Sequence, residues 1–454
     1  MERSHWRKFQ SRLKRTAATK SFIRAVFKSS LVFFLLIIII YWIDGEIGDA
    51  TNYNEWGKVA ASPENKADPI QKDHILLNKR EVRSLLSGKN LINLQNKGFD
   101  HTFESQNLRV ETSLDVSLQR FIQKKLNRSI SPYIGIVVMD PLKGKILSMA
   151  GFDKDDPSNN PCINSKFPAA SIFKIVTAAA AIEKYNFDLT AEFAYNGRKH
   201  TLYKYQLREQ TNKYTNWISF KDSFAQSVNP VFGKLGANLL GAPILEEYAA
   251  AFGFNRNIEF EAPVSPSVVN FSDEPYQWAE IASGFNRKTT LSPLHGAMMI
   301  SAILNRGKMM EPTIVNYITD ENGKTIYRSH IKTINQVISP MASEIMNSLM
   351  EATIKSGTAR KAFKGYQKNR ILSRLNIGGK TGSINSKSSD TRYDWFVGFA
   401  AEKSGAQKIV ISAFVAHEKY IGTRAGDYAR LAIKHYFQDY FSKNRAKMDS
   451  KNQS

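Results

Sequence analysis

Strand-forming segments lie at the two ends of the main part of this chain, with helix-forming segments between them, and this order strongly constrains the fold. Near the start, Y-I-G-I-V-V-M-D (133–140), the turn P-L-K-G and K-I-L-S-M-A (145–150) predict a β-hairpin. Near the end, residues 395–401 and 409–416 predict two paired strands. Two strand pairs separated by helices favour one domain whose sheet is built from both of its ends. The predicted fold class is therefore α/β: a mostly antiparallel sheet flanked by helices, with an additional helical subdomain.

Apolar segments with helical periodicity fill the middle of the chain. An alanine-rich run, I-F-K-I-V-T-A-A-A-A-I (172–182), predicts a buried helix. The segment N-I-G-G-K-T-G-S-I (376–384) predicts a strand whose glycines would permit the close approach of a ligand. Further helices are predicted at about 231–252, 292–306, 340–355 and 426–441, with a short one at about 75–86.

Three short motifs follow one another along the chain: S-I-F-K (171–174), S-V-N (227–229) and K-T-G (380–382). Taken singly, the first two are weak signals, because S-x-x-K and S-x-N both occur elsewhere in this sequence. K-T-G occurs once. The order of the motifs, together with the helix after the first and the strand around the third, makes them a candidate site.

Ser171 and Lys174 lie at the start of the predicted helix and would share one face of it. A serine hydroxyl is a poor nucleophile until a base accepts its proton. A neutral lysine can be that base if burial or a second cation, here Lys380, lowers its pKa. The positive end of the helix dipole would stabilise an oxyanion at the same place. The alternative is a core helix that carries a solvent-exposed lysine.

Ser227 and Asn229 precede and adjoin Pro230, which predicts a loop at this point of the chain. A hydroxyl and an amide on one loop can pass a proton to a leaving amine and orient a peptide bond of the substrate. The alternative is a helix N-cap.

Lys380, Thr381 and Gly382 are predicted to lie on an edge strand, and Ser383 follows them. An ammonium group and hydroxyls can hold a substrate carboxylate. The free backbone of an edge strand can also pair with an extended substrate. We therefore predict that this segment binds substrate beside a catalytic group formed by the first two motifs.

The N-terminal region has the pattern of a membrane anchor. Residues 1–30 hold nine Lys or Arg and one acidic residue, and residues 31–43 are apolar apart from a tyrosine hydroxyl. The basic flank predicts a cytoplasmic tail followed by one transmembrane segment and an exported remainder. The apolar run is short for a membrane span, so a cleaved signal peptide is the alternative. The long basic flank favours the uncleaved anchor.

The net charge of +22 indicates either an anionic counterpart or merely a lysine-rich proteome, and the sequence leaves both open. A membrane face or an anionic cell-wall polymer is favoured over nucleic acid, because the sequence has neither zinc-finger spacing nor a stacking signature. No metal-ligand spacing is present, and no cofactor is predicted. Cys162 is the only cysteine, so no intrachain disulfide can form. Its use as a nucleophile is disfavoured, because no His with a partner is evident near it.

Residues from about 108 to 440 resemble the transpeptidase domain of penicillin-binding proteins, which share these three motifs, in slightly different form, with serine β-lactamases. The resemblance extends to T-S-L-D-V-S-L-Q (112–119), V-V-M-D-P-L-K-G-K-I-L-S-M-A (137–150), F-P-A-A-S-I-F-K-I-V-T-A-A-A-A-I-E (167–183), T-L-S-P-L-H-G-A (290–297) and D-W-F-V-G-F-A (394–400).

The resemblance implies roles for the motif residues. Ser171 would be acylated by the D-Ala-D-Ala end of a peptidoglycan stem peptide, with Lys174 as the base. Ser227 and Asn229 would assist. The residues that would bind the terminal carboxylate are Lys380, Thr381 and Ser383, and the backbone amides of Ser171 and Ser383 would form the oxyanion hole.

The N-terminal charge pattern, together with the resemblance, implies a single-pass protein of the cytoplasmic membrane whose catalytic domain is periplasmic. Its ligands would be stem peptides and inhibitory β-lactams, and its partners a glycosyltransferase or other cell-wall-synthesis proteins. The implied layout is a basic cytoplasmic tail (1–29), a transmembrane anchor (30–43), an extracytoplasmic linker (44–107), the transpeptidase domain (108–442) and a polar basic tail (443–454).

Two departures from the family pattern are visible. The linker is too short for the glycosyltransferase domain of bifunctional members, and the N-terminal module of the usual monofunctional members is not found in it. The expectation is therefore a monofunctional, class B-like member. In addition, S-G-F-N (283–286) lacks a second glycine expected there.

Two other functions stay open at the level of sequence. In a D,D-carboxypeptidase or a β-lactamase, water would replace the acceptor amine; Glu274 and Glu280 are available as bases but have no recognisable context. In a non-catalytic penicillin sensor or scaffold, the domain would only bind. The short cytoplasmic tail and the intact motifs count against that function.

Overall fold

The computed structural model describes residues 76–388 and 390–451. These described residues belong to one compact unit. The predicted cytoplasmic tail (1–29) and transmembrane anchor (30–43) lie outside the described residues, as does the start of the predicted linker. Within the described part of the chain, no helix is both long and apolar enough to cross a bilayer.

The helices of the described residues are, in chain order, α1 (Lys79–Leu85), α2 (Val116–Lys125), α3 (Lys174–Tyr185), α4 (Phe220–Ala225), α5 (Asn229–Lys234), α6 (Gly241–Ala251), α7 (Pro275–Ser283), α8 (Pro293–Leu304), α9 (Pro340–Lys355) and α10 (Ala425–Lys451). The strands are β1 (Gly98–Phe103), β2 (Gln106–Thr112), β3 (Tyr133–Met139), β4 (Ile146–Asp153), β5 (Phe167–Pro168), β6 (Glu192–Tyr195), β7 (Asn216–Ser219), β8 (Thr290–Leu291), β9 (Lys308–Met310), β10 (Val315–Thr319), β11 (Thr325–Arg328), β12 (Thr333–Gln336), β13 (Leu375–Asn385), β14 (Arg392–Glu402) and β15 (Lys408–His417).

The strands predicted at the two ends of the domain form one five-stranded antiparallel sheet in the order β13–β14–β15–β3–β4. β3 and β4 are the predicted hairpin, and β14 and β15 are the predicted late pair. β15 pairs with β3, with Phe414 opposite Gly135, so the early and late parts of the chain meet inside the sheet. The predicted antiparallel sheet with flanking helices is confirmed, and β13, which carries K-T-G, is an edge strand.

Alternate residues of the sheet face two separate apolar layers. In β3, Val137 packs into the layer that contains α3, α8 and α9, whereas Ile136 and Val138 face α2 and α10. All three side chains are fully buried. Because both faces of the sheet are covered, its inner strands have the nearly continuous apolar sequences that made them predictable.

A second, four-stranded sheet in the order β1–β2–β10–β11 joins part of the predicted linker to the rest of the unit. The predicted boundary at residue 107 falls inside β2. α1 also packs here: Val82 on it is fully buried, and Lys79 forms an ion pair of 2.5 Å with Glu311. None of the residues of β1 is fully buried, so apolar and polar residues alternate only weakly along it. For this reason the sequence pattern indicated only a linker.

Candidate active site

The predicted nucleophile lies in a tight turn that precedes its helix. Residues Ala170–Phe173 form a 3₁₀ turn and α3 begins at Lys174, whereas the sequence predicted one helix that opens at Ser171. Ala170 has a φ of +49°, a left-handed conformation that costs energy for a residue other than glycine. The turn leaves Ser171 partly exposed and brings Lys174 Nζ to 2.9 Å from Ser171 Oγ.

Lys174 is fully buried, which excludes the alternative of a solvent-exposed lysine on a core helix. Its Nζ also donates to Asn229 Oδ1 at 2.7 Å and to the carbonyl oxygen of Ser283. Burial, together with the charge of Lys380, lowers the pKa of Lys174 well below its ordinary value.

The contacts of Lys174 fit a neutral amine that serves as a base. A neutral amine has two hydrogens and one lone pair. The carbonyl oxygens of Asn229 and Ser283 accept the two hydrogens, which directs the lone pair toward the hydroxyl of Ser171. This arrangement can remove the proton from Ser171.

Ser227 and Asn229 both face the two buried lysines. Ser227 lies between α4 and α5 with a φ of +56°, and its Oγ accepts a hydrogen bond of 2.9 Å from Lys380 Nζ. α5 begins at Asn229, so Pro230 lies in the first turn of a helix rather than in a loop. The N-cap of α5 is Val228, which excludes the alternative that Ser227 or Asn229 is the N-cap.

Lys380 is fully buried on β13, and burial lowers its pKa to about 7. A group with this pKa is protonated in part of the molecules at neutral pH. It can therefore hold an anion or supply a proton through Ser227.

The edge strand β13 runs directly beside Ser171. A Cβ placed on Gly382 would lie 3.3 Å from the backbone nitrogen of Ser171 and 3.3 Å from Ala170 Cβ, so a side chain would crowd the turn. On the same strand, the Thr381 hydroxyl bonds the Thr358 hydroxyl, and Ser383 Oγ donates to Asp394 at 3.1 Å. The residues of all three motifs therefore converge on one site.

The Gly378–Gly379 pair makes room for aromatic side chains and not, as predicted, for the close approach of a ligand. A Cβ on Gly378 would lie 2.4 Å from the ring of Phe399, and one on Gly379 would lie 2.4 Å from the ring of Phe396. These rings, and not a ligand, occupy the space next to the two glycines, as aromatic side chains often do across a sheet.

Several residues of the site were not identified from the sequence. Gly284 has a φ of +65°, and a Cβ on it would lie 1.9 Å from the carbonyl oxygen of Ala170. Thr358 and Asp394 hold the hydroxyls of β13, and the carbonyl oxygen of His200 accepts from Asn229 Nδ2 at 3.0 Å. The glycine of S-G-F-N (283–286) was the one local signal; the other three depend on contacts distant in sequence.

Cys162 does not belong to this site. It is fully buried, its Sγ lies 3.4 Å from the carbonyl oxygen of Ala150, and burial raises its pKa to about 12. A thiol with this pKa is not a nucleophile at neutral pH. In the part of the chain that the structure describes, no cluster of three or more His, Cys, Asp or Glu could hold a metal ion.

Comparison with known sequences gives a consistent family. The family model for the penicillin binding protein transpeptidase domain matches residues 134–434. Stage V sporulation protein D of Bacillus subtilis (strain 168) is 26% identical over 325 residues, which are 66% of this chain and 49% of that protein. The peptidoglycan D,D-transpeptidase PbpA of Mycolicibacterium smegmatis is 24% identical over 323 residues, 62% of this chain and 61% of that protein. The chain thus matches between about half and three fifths of the length of these relatives.

Solved structures share the fold. The D,D-transpeptidase domain of a peptidoglycan glycosyltransferase from Eggerthella lenta superposes with a TM-score of 0.60 at 23% identity, covering 73% of this chain and 83% of that one. The ceftriaxone acyl-enzyme complex of penicillin-binding protein A from Mycobacterium tuberculosis superposes with a TM-score of 0.59 at 20% identity, covering 72% and 79%.

Proposed function

Because this chain belongs to the penicillin-binding protein transpeptidase family, we propose that it is a serine D,D-transpeptidase that cross-links peptidoglycan stem peptides. The observation that carries the proposal is the position of Lys174 Nζ, 2.9 Å from Ser171 Oγ and hydrogen-bonded to the carbonyl oxygens of Asn229 and Ser283. A buried neutral lysine in this position has no evident structural use, because burying an amine costs free energy.

In the proposed acylation, Ser171 Oγ attacks the carbonyl carbon of the penultimate D-Ala and Lys174 takes its proton. The backbone N–H groups of Ser171 and Ser383 stabilise the oxyanion. The C–N bond breaks, and the leaving D-Ala amine receives a proton through Ser227 and Lys380. The acyl group then remains on Ser171 as an ester.

The second half-reaction transfers that acyl group to an amine of another stem peptide. The amine attacks the ester carbonyl and loses a proton through Ser227 to Lys380, which gave up a proton in the first half-reaction. The ester C–O bond breaks, and Ser171 regains its hydroxyl proton from Lys174. Asn229 orients the peptide bond of the donor. Lys380, Thr381 and Ser383 bind the carboxylate of the donor before cleavage.

We extend the proposal to β-lactams, which would acylate Ser171 as substrate mimics. The acyl-enzyme complex of penicillin-binding protein A from M. tuberculosis with ceftriaxone supports this extension by likeness of fold.

We also propose the layout given by the sequence, with one change at its C-terminal end: a basic tail (1–29) in the cytoplasm, a membrane anchor (30–43), and a periplasmic domain whose last helix, α10, continues past the predicted boundary at residue 442 to Lys451. The charge pattern around residues 31–43 supports it. A glycosyltransferase partner would supply the glycan strands, since the sequence between the proposed anchor and the matched domain holds too few residues for such a domain.

Labelling of the full chain in detergent with a fluorescent penicillin tests the acyl-enzyme. Ser171→Ala should abolish the adduct, whereas Ser158→Ala, at an S-x-N serine outside the site, should label like wild type. The absence of a Ser171-dependent adduct would overturn the acyl-enzyme proposal and favour a non-catalytic role.

The fate of the adduct and of a stem pentapeptide separates the remaining activities. An adduct that clears within seconds identifies a β-lactamase. A stable adduct with exchange of the terminal D-Ala for an added D-amino acid identifies a transpeptidase. If D-Ala is released at a rate that added amine does not change and no exchange product forms, the protein is a carboxypeptidase and the proposal is overturned.

A further inference from the structure

We propose that the loop of residues 196–215, between β6 and β7, is a binding surface for the anionic glycopeptide strand that carries the peptide substrate. This inference rests on the proposed function and deepens it. The active site would hold the peptide end, and the loop would hold the polymer to which the peptide is attached. We call this segment the aromatic–basic loop.

The loop carries a strong local positive charge. Five cations and one acidic residue lie in it, and the acidic residue, Glu209, is already paired with Lys234 at 3.4 Å. Within the described residues, none of the five cations forms an ion pair. They are Arg198, Lys199, Lys204, Arg208 and Lys213. An anionic ligand would therefore meet free positive charge at this surface.

The loop also presents three tyrosines to solvent, and two of them form a pair. Tyr203 and Tyr205 stack on each other with ring centroids 5.7 Å apart and an interplanar angle of 11°. They are 53% and 51% exposed. Both side chains can therefore contact a ligand, and a tyrosine combines an apolar face with a polar hydroxyl.

Hydrogen bonds from two side chains hold the backbone next to the tyrosines in place. The fully buried side chain of Gln206 donates to the carbonyl oxygen of Asn196 at 2.7 Å and accepts from the backbone N–H of Tyr203 at 2.9 Å. Tyr276 donates to the carbonyl oxygen of Leu202 at 2.8 Å. A preorganised surface loses little entropy on binding, so this rigidity favours a ligand-binding role.

The loop is continuous with the catalytic site. Asn229 donates its backbone N–H to the carbonyl oxygen of Lys199 at 2.7 Å and its side-chain amide to that of His200 at 3.0 Å. Asn229 is also the residue that accepts from Lys174. A substrate that extends from Ser171 past Asn229 therefore reaches the loop next.

The cations and aromatic rings of the loop favour one class of ligand. A glycopeptide strand has carboxylates, which match the free cations, and sugar rings, whose apolar C–H faces pack on aromatic rings. An anionic lipid surface would use the charges but would not use a pair of tyrosines stacked on each other. We therefore assign the strand and treat the lipid surface as an outcome of the test.

Binding of soluble, un-cross-linked peptidoglycan strands to the full chain in detergent tests the assignment. The Kd should rise about tenfold in Tyr203→Ala/Tyr205→Ala and by a similar factor in Arg198→Gln/Arg208→Gln, as for the loss of central contact residues. Tyr203→Phe/Tyr205→Phe keeps the ring faces and should restore most of the affinity. As matched controls, Ile331→Ala and Lys324→Gln remove exposed side chains elsewhere and should leave the Kd unchanged.

A second readout separates this inference from the proposed function. The rate at which fluorescent penicillin acylates the loop variants should equal that of wild type, because a small reagent does not reach the loop; this also shows that the variants are folded. Failure of the proposed function would appear as a missing adduct in wild type. An unchanged Kd for strands in both loop variants overturns the inference, as does a selective loss of binding to anionic lipid vesicles.

Discussion

Ser383 and Asp394 lie directly opposite each other on β13 and β14, and the Ser383 hydroxyl donates to the Asp394 carboxylate at 3.1 Å. The other carboxylate oxygen of Asp394 accepts from the backbone N–H of Ala425 at 3.0 Å, where α10 begins. One buried side chain thus connects the proposed carboxylate-binding strand to the C-terminal helix.

Asp394→Ala should destabilise the protein, because it leaves the donors of Ser383 and Ala425 without an acceptor. We expect a loss of about 2 to 4 kcal/mol in the free energy of unfolding, measured by urea denaturation. Asp394→Asn keeps an acceptor oxygen and should lose less free energy of unfolding than Asp394→Ala. Equal stability of the Ala variant and wild type would contradict this account.

Gly284→Ala should strongly impair acylation. The new Cβ would lie 1.9 Å from the carbonyl oxygen of Ala170 and 2.8 Å from the backbone nitrogen of Ser171, so the nucleophile turn must shift. Because small misplacements of reacting groups are costly, we expect a loss of about 100-fold in the rate of penicillin acylation.

Gly323→Ala is the matched control for Gly284→Ala. Gly323 also has a positive φ, +77°, but a Cβ there would meet nothing within 4 Å. It should cost about 1 kcal/mol of stability through backbone strain and leave the acylation rate unchanged. Similar acylation rates in the two variants would show that the contact with Ala170 is unimportant.

Lys380→Met should abolish substrate binding but stabilise the fold at neutral pH. Burial lowers the pKa of Lys380 from 10.5 to about 7, so between these values the unfolded chain binds a proton that the folded protein does not. The free energy of unfolding of wild type should therefore increase as the pH rises through this window. Below the window Lys380 is charged in the folded protein as well, so the full free-energy cost of burying that charge destabilises the fold.

The measurement for Lys380 is the difference in unfolding free energy between wild type and Lys380→Met. We expect the variant to be more stable by about 1 to 3 kcal/mol at pH 7. The difference should shrink toward pH 10. Lys324→Met, at an exposed lysine, should show no such trend; a constant difference for Lys380→Met would refute the assigned cause.

Cys162 should be inert to thiol reagents in the folded protein. Burial raises its pKa to about 12, so almost no thiolate is present at neutral pH. A chromogenic disulfide reagent should react with one thiol only after unfolding, and Cys162→Ala should acylate with penicillin like wild type. Fast labelling of the native chain would contradict the buried position.

Sequence patterns predicted the elements that are covered on both sides. β3, β4, β14 and β15 have long apolar sequences because helices pack on both faces of their sheet, and α8 and α9 were predicted within about two residues of their observed bounds. β1 was not predicted, nor was the pairing of β2 with β10, although an extended segment was predicted at the end of β2. Their sheet is partly exposed, and pairing with β10, about 200 residues later, leaves no local signal.

By itself, the sequence determined which residues could carry chemistry: three ordered motifs that supply a serine, two lysines, an asparagine and hydroxyls. Only the tertiary structure decided how they act together. Lys174 has the properties of the proposed base because Asn229 and the carbonyl of Ser283 meet it in a buried space near Lys380. The purpose of Gly378 and Gly379, and the support of Ser383 by Asp394, likewise depend on the strand opposite. The physical reason is that desolvation, charge proximity and close packing depend on distances through space, which residues far apart in the chain set together.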